Sequence, residues 1–121
     1  MSENTTIWDK TKALTLTGGD IDFLGEIVSL FLQRLPLLMS DLTTAIAERD
    51  PEAMQMAAHT LKSSAANFSA SATVAVASAI ELMSRQQDLS NIDEAWIKLR
   101  EKIGQLEHEL RTWLHEVVKK H

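Results

Sequence analysis

Only four glycines (Gly18, Gly19, Gly25 and Gly104) and two prolines (Pro36 and Pro51) interrupt this chain of 121 residues. These residue types are the strongest breakers of regular structure, so their scarcity makes long helices the default. Gly18-Gly19 followed by Asp20 reads as a helix stop and then a cap: glycine accepts the left-handed conformation past a helix end, and a carboxylate accepts orphan backbone donors at the next start. From Ile21, the apolar residues Leu24, Ile27, Val28, Phe31, Leu35, Leu38, Leu42 and Ile46 keep spacings of three and four, which predicts an amphipathic helix of about 28 residues. Pro36 is expected to kink or split it. Asp50-Pro51-Glu52 is a strong second start, with an N-cap, a proline at the first helical position and an acid facing the helix dipole. Within residues 67–71 the run NFSAS offers a break and a new cap, after which a helix of small residues continues to about Gln87. Ser90, with Asp93 three residues later, has the spacing of a capping box. It would open a final helix of about 28 residues whose stripe is Ile92, Trp96, Leu99, Ile103, Leu106, Leu110, Trp113, Leu114 and Val117. Residues 5–17, with Ile7, Trp8, Ala13 and Leu14, are expected to form a lid helix.

No strand alternation competes with these readings. Four long amphipathic helices on short connections predict an all-α, antiparallel up-and-down four-helix bundle with a short N-terminal lid helix, one domain over residues 1–121. At this size roughly two-thirds of the surface exposed by the unfolded chain can be buried. Composition narrows the function. With 45% hydrophobic and 24% charged residues the chain is globular rather than disordered. A net charge of -5 gives nucleic acids and anionic membranes a like-charged partner and argues against both. The absence of cysteine removes disulfides, thiolate chemistry and zinc ribbons, and suits a reducing compartment. The opening MSENTTIWDK has no signal-peptide pattern, and no run reaches the ~18 uninterrupted apolar residues of a membrane span. A cytoplasmic protein is the expectation, and the polar lead after Met1 favours a free-standing one.

One window is unusual. Between residues 53 and 80 the only formally charged side chain is Lys62, and alanine and serine dominate. Such a hairpin of small residues serves either close helix packing or the close approach of another protein. Helical phase shows what protrudes. With His59 at zero and about 100° per residue, Lys62 lies near -60°, Ser63 near +40°, Ala66 near -20° and Gln55 near -40°, while Met54, Ala57, Leu61, Ala65 and Phe68 lie opposite. His59 is thus on the polar face, across from the core stripe. Periodicity alone leaves it as either an indifferent surface residue or a reactive one.

The residues here carry a resemblance. His59-Thr60-Leu61-Lys62-Ser63-Ser64-Ala65-Ala66-Asn67-Phe68 resembles the signature of histidine-containing phosphotransfer (HPt) domains of bacterial phosphorelays, roughly H-x-L-K-G-[SA]-[AS]-x-x-[LF]-G. Leu16-Thr17-Gly18-Gly19-Asp20 followed by Phe23-Leu24 and Leu30-Phe31-Leu32 is similar to the family's L-x-G-G-D motif and long helix. Asp50 is similar to the aspartate before the histidine helix, and Ile80-Glu81 falls where the family commonly has L-E. Two family glycines are replaced, by Ser63 and Ser69. Ser63 shares the face of His59, where a larger side chain can crowd the imidazole; Ser69 bears on where the helix ends.

The resemblance implies a phosphorelay intermediate: His59 would take a phosphoryl group from a receiver-domain aspartate and pass it to a second receiver. An imidazole with an ordinary pKa of ~6.5 has a free lone pair at cytosolic pH and needs no separate base. Lys62, one turn away on the same face, is expected to face solvent and to stabilise the transferring group, so that its removal slows transfer with little cost to folding. Counting back from a turn near residue 68 or 69 sets His59 level with about Ser78. Glu81 is then within reach of a long side chain and matches the family position that bonds the proximal ring nitrogen. Glu81 is expected to hold Nδ1–H and leave Nε2 as phosphoacceptor. Docking would use Gln55, Met56, Ser63 and Ala66, and exposed apolar residues near the Ile21 end of the long helix.

No Gly-rich phosphate loop is present. The resemblance implies a non-enzymatic phosphocarrier without an ATP site, with Mg2+ in the partner receiver domain and no cofactor of its own. The implied partners are response-regulator receiver domains and a hybrid sensor histidine kinase, and the chain is expected to be a monomer. An alternative is a helical adaptor that binds receivers without phosphotransfer because Ser63 hinders His59. A third reading, the dimerising module of a sensor kinase, lacks its H-E-x-x-[TN]-P motif. His108, His115 and His121 give no metal spacing, since the first two are seven apart and chelation within a helix favours four. Trp8, Trp96 and Trp113 are read as core and lid packing.

Overall fold

The computed structural model describes residues 7–120. It contains five helices: α1 (Lys10–Leu16), α2 (Ile21–Ala47), α3 (Pro51–Ala66), α4 (Ser71–Gln86) and α5 (Ile92–Lys120). Three of the starts are capped by aspartate. Asp9 accepts from the Lys12 N–H at 3.0 Å, Asp20 from Phe23 N–H at 3.0 Å and Asp50 from Ala53 N–H at 3.2 Å. Short connections fold α2 to α5 back and forth. α3 packs mainly on α4, and α2 on α3, α4 on α5 and α5 on α2 close the four into a bundle.

The ends of these helices explain how so few glycines suffice. Each of α1 to α4 ends with a pair of backbone bonds that returns the next two N–H groups to the last turn, around a residue of positive φ. Only α1 uses glycine there. Arg49 (φ 52), Ser69 (φ 50) and Gln87 (φ 57) hold that place after α2, α3 and α4. After α3, Ser69 N–H reaches the Ala66 carbonyl at 3.0 Å and Ala70 N–H the Ala65 carbonyl at 3.2 Å, so the helix end keeps its form with serine in place of glycine. A side chain in the left-handed region is strained, and Ser69→Gly is expected to stabilise the protein by about 1 kcal/mol. Urea denaturation checks this, and an unchanged or lowered midpoint would count against it.

The core takes Leu24, Val28, Phe31, Leu35, Leu42 and Ile46 from α2, with Met54, Ala58, Leu61, Ala65 and Phe68 from α3 and its turn. Ala77 and Ile80 of α4, and Ile92, Leu99, Ile103, Leu106 and Leu110 of α5, complete it. On α3 the predicted stripe is correct except that Ala58 is buried where Ala57 is half-buried.

Several local expectations give way to tertiary contacts. Pro36 does not split α2, which runs on through it; the exposed proline removes one bond to Leu32, while Leu35 and Leu42 hold both halves on the core. α2 is the one described helix long and apolar enough, by length and composition, to cross a membrane, yet one of its faces is the bundle core. Ser90 and Asp93 form no capping box. The Ser90 hydroxyl donates to Asp88 at 2.7 Å, and Asp93 accepts two hydrogen bonds from Arg49 at 3.0 and 3.1 Å. α4 has no side-chain cap, because its N-cap is Ala70, whose methyl group offers no acceptor.

The predicted lid helix is shorter than expected. Residues 5 and 6 of that prediction lie outside the described residues, and α1 begins only after Asp9. The preceding Trp8 is the anchor: 3% exposed, it meets the rings of Phe68 and Trp113 edge-on at 6.2 and 5.6 Å. Asp9 N–H donates to the Phe68 carbonyl at 3.1 Å and ties the segment to the α3–α4 turn. Trp113 is half-buried, and Trp96 lies beneath the Arg100 guanidinium at 5.6 Å.

Candidate functional site

The four-residue turn after α3 sets α3 and α4 side by side, and this brings together residues that are distant in sequence. His59, on the outer face of α3, has 59% of its side chain exposed. Its Nδ1 lies 2.9 Å from Oε2 of Glu81 on α4. Lys62, one turn along α3, places Nζ 2.6 Å from Oε1 of the same carboxylate. Arg85, one turn along α4, brings its guanidinium to 3.6 Å from Oε2. One carboxylate, 7% exposed, thus faces three basic side chains.

Electrostatics keeps the Glu81 carboxyl ionised. The hydrogen bond from the Lys62 ammonium is the largest influence on Glu81 and, with His59, holds its carboxyl below the usual range against the opposing effect of burial. The carboxylate has no proton to give, so the short contact requires Nδ1–H to donate. In the neutral ring the lone pair then lies on Nε2, on the exposed side.

The depressed pKa carries a sign for stability. Ionised Glu81 contributes fully above its ordinary value of 4.5, and that contribution is lost as pH falls through the lower folded value. The stability difference between the wild type and Glu81→Gln is therefore expected to shrink on acidification below that value. Denaturant unfolding over a pH series measures it, and a difference constant through the acid range would contradict the ionised, paired carboxylate.

Of the residues singled out by sequence, His59, Lys62 and Glu81 are brought together, with one correction. Lys62 does not stand free in solvent: its side chain is 29% exposed and paired with Glu81. Gln55 is half-buried and Met56 is 68% exposed. Ser63 and Ala66 are exposed on the same face, and Ser63 leaves the imidazole open. The Ile21 end of α2 and the far end of α5 flank an open groove of about 740 Å3, lined by Ile21, Gly25, Leu30, Leu114, Val117 and Val118 among others. Arg85 was missed, although its spacing of four from Glu81 is the helical signature of an ion pair. Among the described residues no group of three or more His, Cys, Asp or Glu is gathered as a metal site requires.

A helical bundle with one exposed, carboxylate-oriented histidine belongs to a known class. The family model of the Hpt domain matches residues 26–117. The chain belongs to the Hpt domain family, whose members are phosphocarriers of two-component phosphorelays rather than classical enzymes, and work with receiver domains and hybrid kinases. Among solved structures, the histidine-containing phosphotransfer protein B (HptB) of Pseudomonas aeruginosa PAO1 is similar, with a TM-score of 0.85 and 14% identity over 93% of this chain and 98% of that one. The HPT domain of an Hpt sensor hybrid histidine kinase from Shewanella is similar at a TM-score of 0.82 and 17% identity, over 91% and 95% of the two chains. At these identities the likeness is one of fold. No curated protein matches by sequence.

Proposed function

We propose that His59 is the phosphoacceptor of this phosphotransfer protein, reacting through Nε2. The observation that carries the reading is the 2.9 Å contact of Nδ1 with Glu81, which in the neutral ring puts the lone pair on Nε2, on the exposed side. The Nε2 lone pair attacks the phosphorus of a receiver's aspartyl phosphate, the P–O bond to the aspartate breaks, and its electrons return to the aspartate as carboxylate. The ring keeps its Nδ1 proton and becomes cationic as the N–P bond forms, so Glu81 gains a full counter-charge at that moment. Transfer to a second receiver is the reverse. Lys62 stabilises the phosphoryl oxygens as a compact cation.

The receiver supplies Mg2+ and its acidic pocket, and this chain supplies nucleophile, orientation and one cation without an ATP site. Gln55, Met56, Ser63 and Ala66 form the docking face, extended by the apolar groove at the Ile21 end of α2. A monomeric, cytoplasmic protein, one Hpt domain over its length, accords with access from receivers on either side of the relay. Incubation with a phosphorylated receiver and Mg2+ should give an acid-labile, alkali-stable label that His59→Gln abolishes. A label surviving in His59→Gln, or one formed from ATP with no other protein, would overturn the proposal. Binding of receivers with no transfer would make the protein an adaptor.

A further inference from the structure

Glu81 holds two cations where the orientation of one histidine needs none. Its Oε1 faces Lys62 at 2.6 Å; its Oε2 is shared between His59 and, at 3.6 Å, Arg85. Lys62 is therefore committed to Glu81 before any phosphoryl group arrives. A dianionic phosphoryl on Nε2 offers three oxygens and twice the charge of the carboxylate, and the flexible lysine stem lets Nζ move to it. That movement has a consequence. The phosphohistidine ring then remains as counter-charge at Oε2, but Oε1 of a carboxylate only 7% exposed is left without the cation it held, which is unfavourable.

The other cation within reach is Arg85. It sits one turn from Glu81 on the same helix, is 57% exposed and so free to reorient, and stands just outside hydrogen-bond distance. We propose that Arg85 is a positioning residue that exchanges with Lys62: when Lys62 turns to the phosphoryl group on His59, the guanidinium closes on Glu81 and takes over its charge. Arg85 acts on the phosphoryl group only by releasing Lys62, and through Glu81 it keeps the imidazole oriented during the exchange. This rests on His59 as phosphoacceptor and deepens that reading by assigning how the site adapts to its two charge states.

The test uses the whole chain, phosphorylated by a receiver, with the lifetime of the phosphohistidine followed by phosphorus NMR. Arg85→Ala is expected to leave the thermal midpoint of the unphosphorylated protein nearly unchanged and to shorten the phosphohistidine lifetime roughly threefold, the scale of one partly exposed ion pair. Arg85→Lys should restore most of it. In a Lys62→Ala background, where no lysine needs release, Arg85→Ala should have no further effect. Nitrogen NMR of the wild type adds a direct reading: the Arg85 side-chain N–H signals should shift and become protected from exchange on phosphorylation. Equal effects of Arg85→Ala in both backgrounds would mean that Arg85 meets the phosphoryl group itself, and would overturn the exchange. So would an unchanged lifetime with unmoved Arg85 signals. A wild type that forms no phosphohistidine would instead sink the assignment of His59, and is distinguishable because no variant is needed to see it.

Discussion

Phe68→Ala is expected to lower the unfolding free energy by about 3–5 kcal/mol, the largest stability loss of any single truncation considered for this chain. Phe68 is fully buried at the turn between α3 and α4. Its ring lies 5.2 Å from that of Phe31 on α2 and 6.2 Å from that of Trp8, and its carbonyl anchors Asp9. Truncation opens a cavity where three separate segments meet, and the turn cannot collapse to fill it without moving α4. Two measurements check this. Urea denaturation should show the loss, and tryptophan fluorescence should shift to the red as Trp8 loses its cover. A cost below about 1 kcal/mol would mean that the aromatic cluster does not carry the packing assigned to it. The same turn sets the register of Glu81 against His59, so the variant should also transfer phosphoryl groups more slowly.

Lys62→Ala should slow transfer to His59 by about tenfold to a hundredfold, since in the proposed mechanism it removes the cation that meets charge developing on the phosphoryl oxygens. It should also reduce stability by about 1–2 kcal/mol, an outcome opposite to that expected of a solvated lysine. The cause is Glu81, which keeps His59 and Arg85 as partners but loses its shortest contact. Stopped-flow transfer from a phosphorylated receiver and urea denaturation separate the two effects. A variant as stable as the wild type would contradict the structural role of the pair, and an unchanged rate would contradict the catalytic one.

Local chemistry was legible in the sequence wherever a few neighbouring residues decide the outcome. The caps at Asp20 and Asp50, the stop at Gly18-Gly19 and the polar face of His59 all follow from spacing or phase, and all stand in the structure. The misreadings share a physical cause. Asp93 looked like the partner of Ser90, but Arg49, 44 residues earlier, offers it a two-pronged guanidinium. Pro36 is expected to kink or split α2, and the split does not occur, because core contacts on both sides outweigh one missing hydrogen bond. Lys62 looked free because its partner lies on the next helix, and a phase calculation on one helix cannot see a carboxylate arriving from another. Glu81 was found because the antiparallel register of the hairpin could be counted and because the family resemblance pointed to it. Arg85 was within the same count, one turn beyond.

The position of phosphorus on the labelled protein tests the central claim most directly. With nitrogen-15 in the histidine rings, correlation of phosphorus with nitrogen should show one phosphoryl group, on Nε2 of His59, with Nδ1 still carrying its proton against Glu81. Phosphorus on Nδ1, or on any side chain other than His59, would contradict the account.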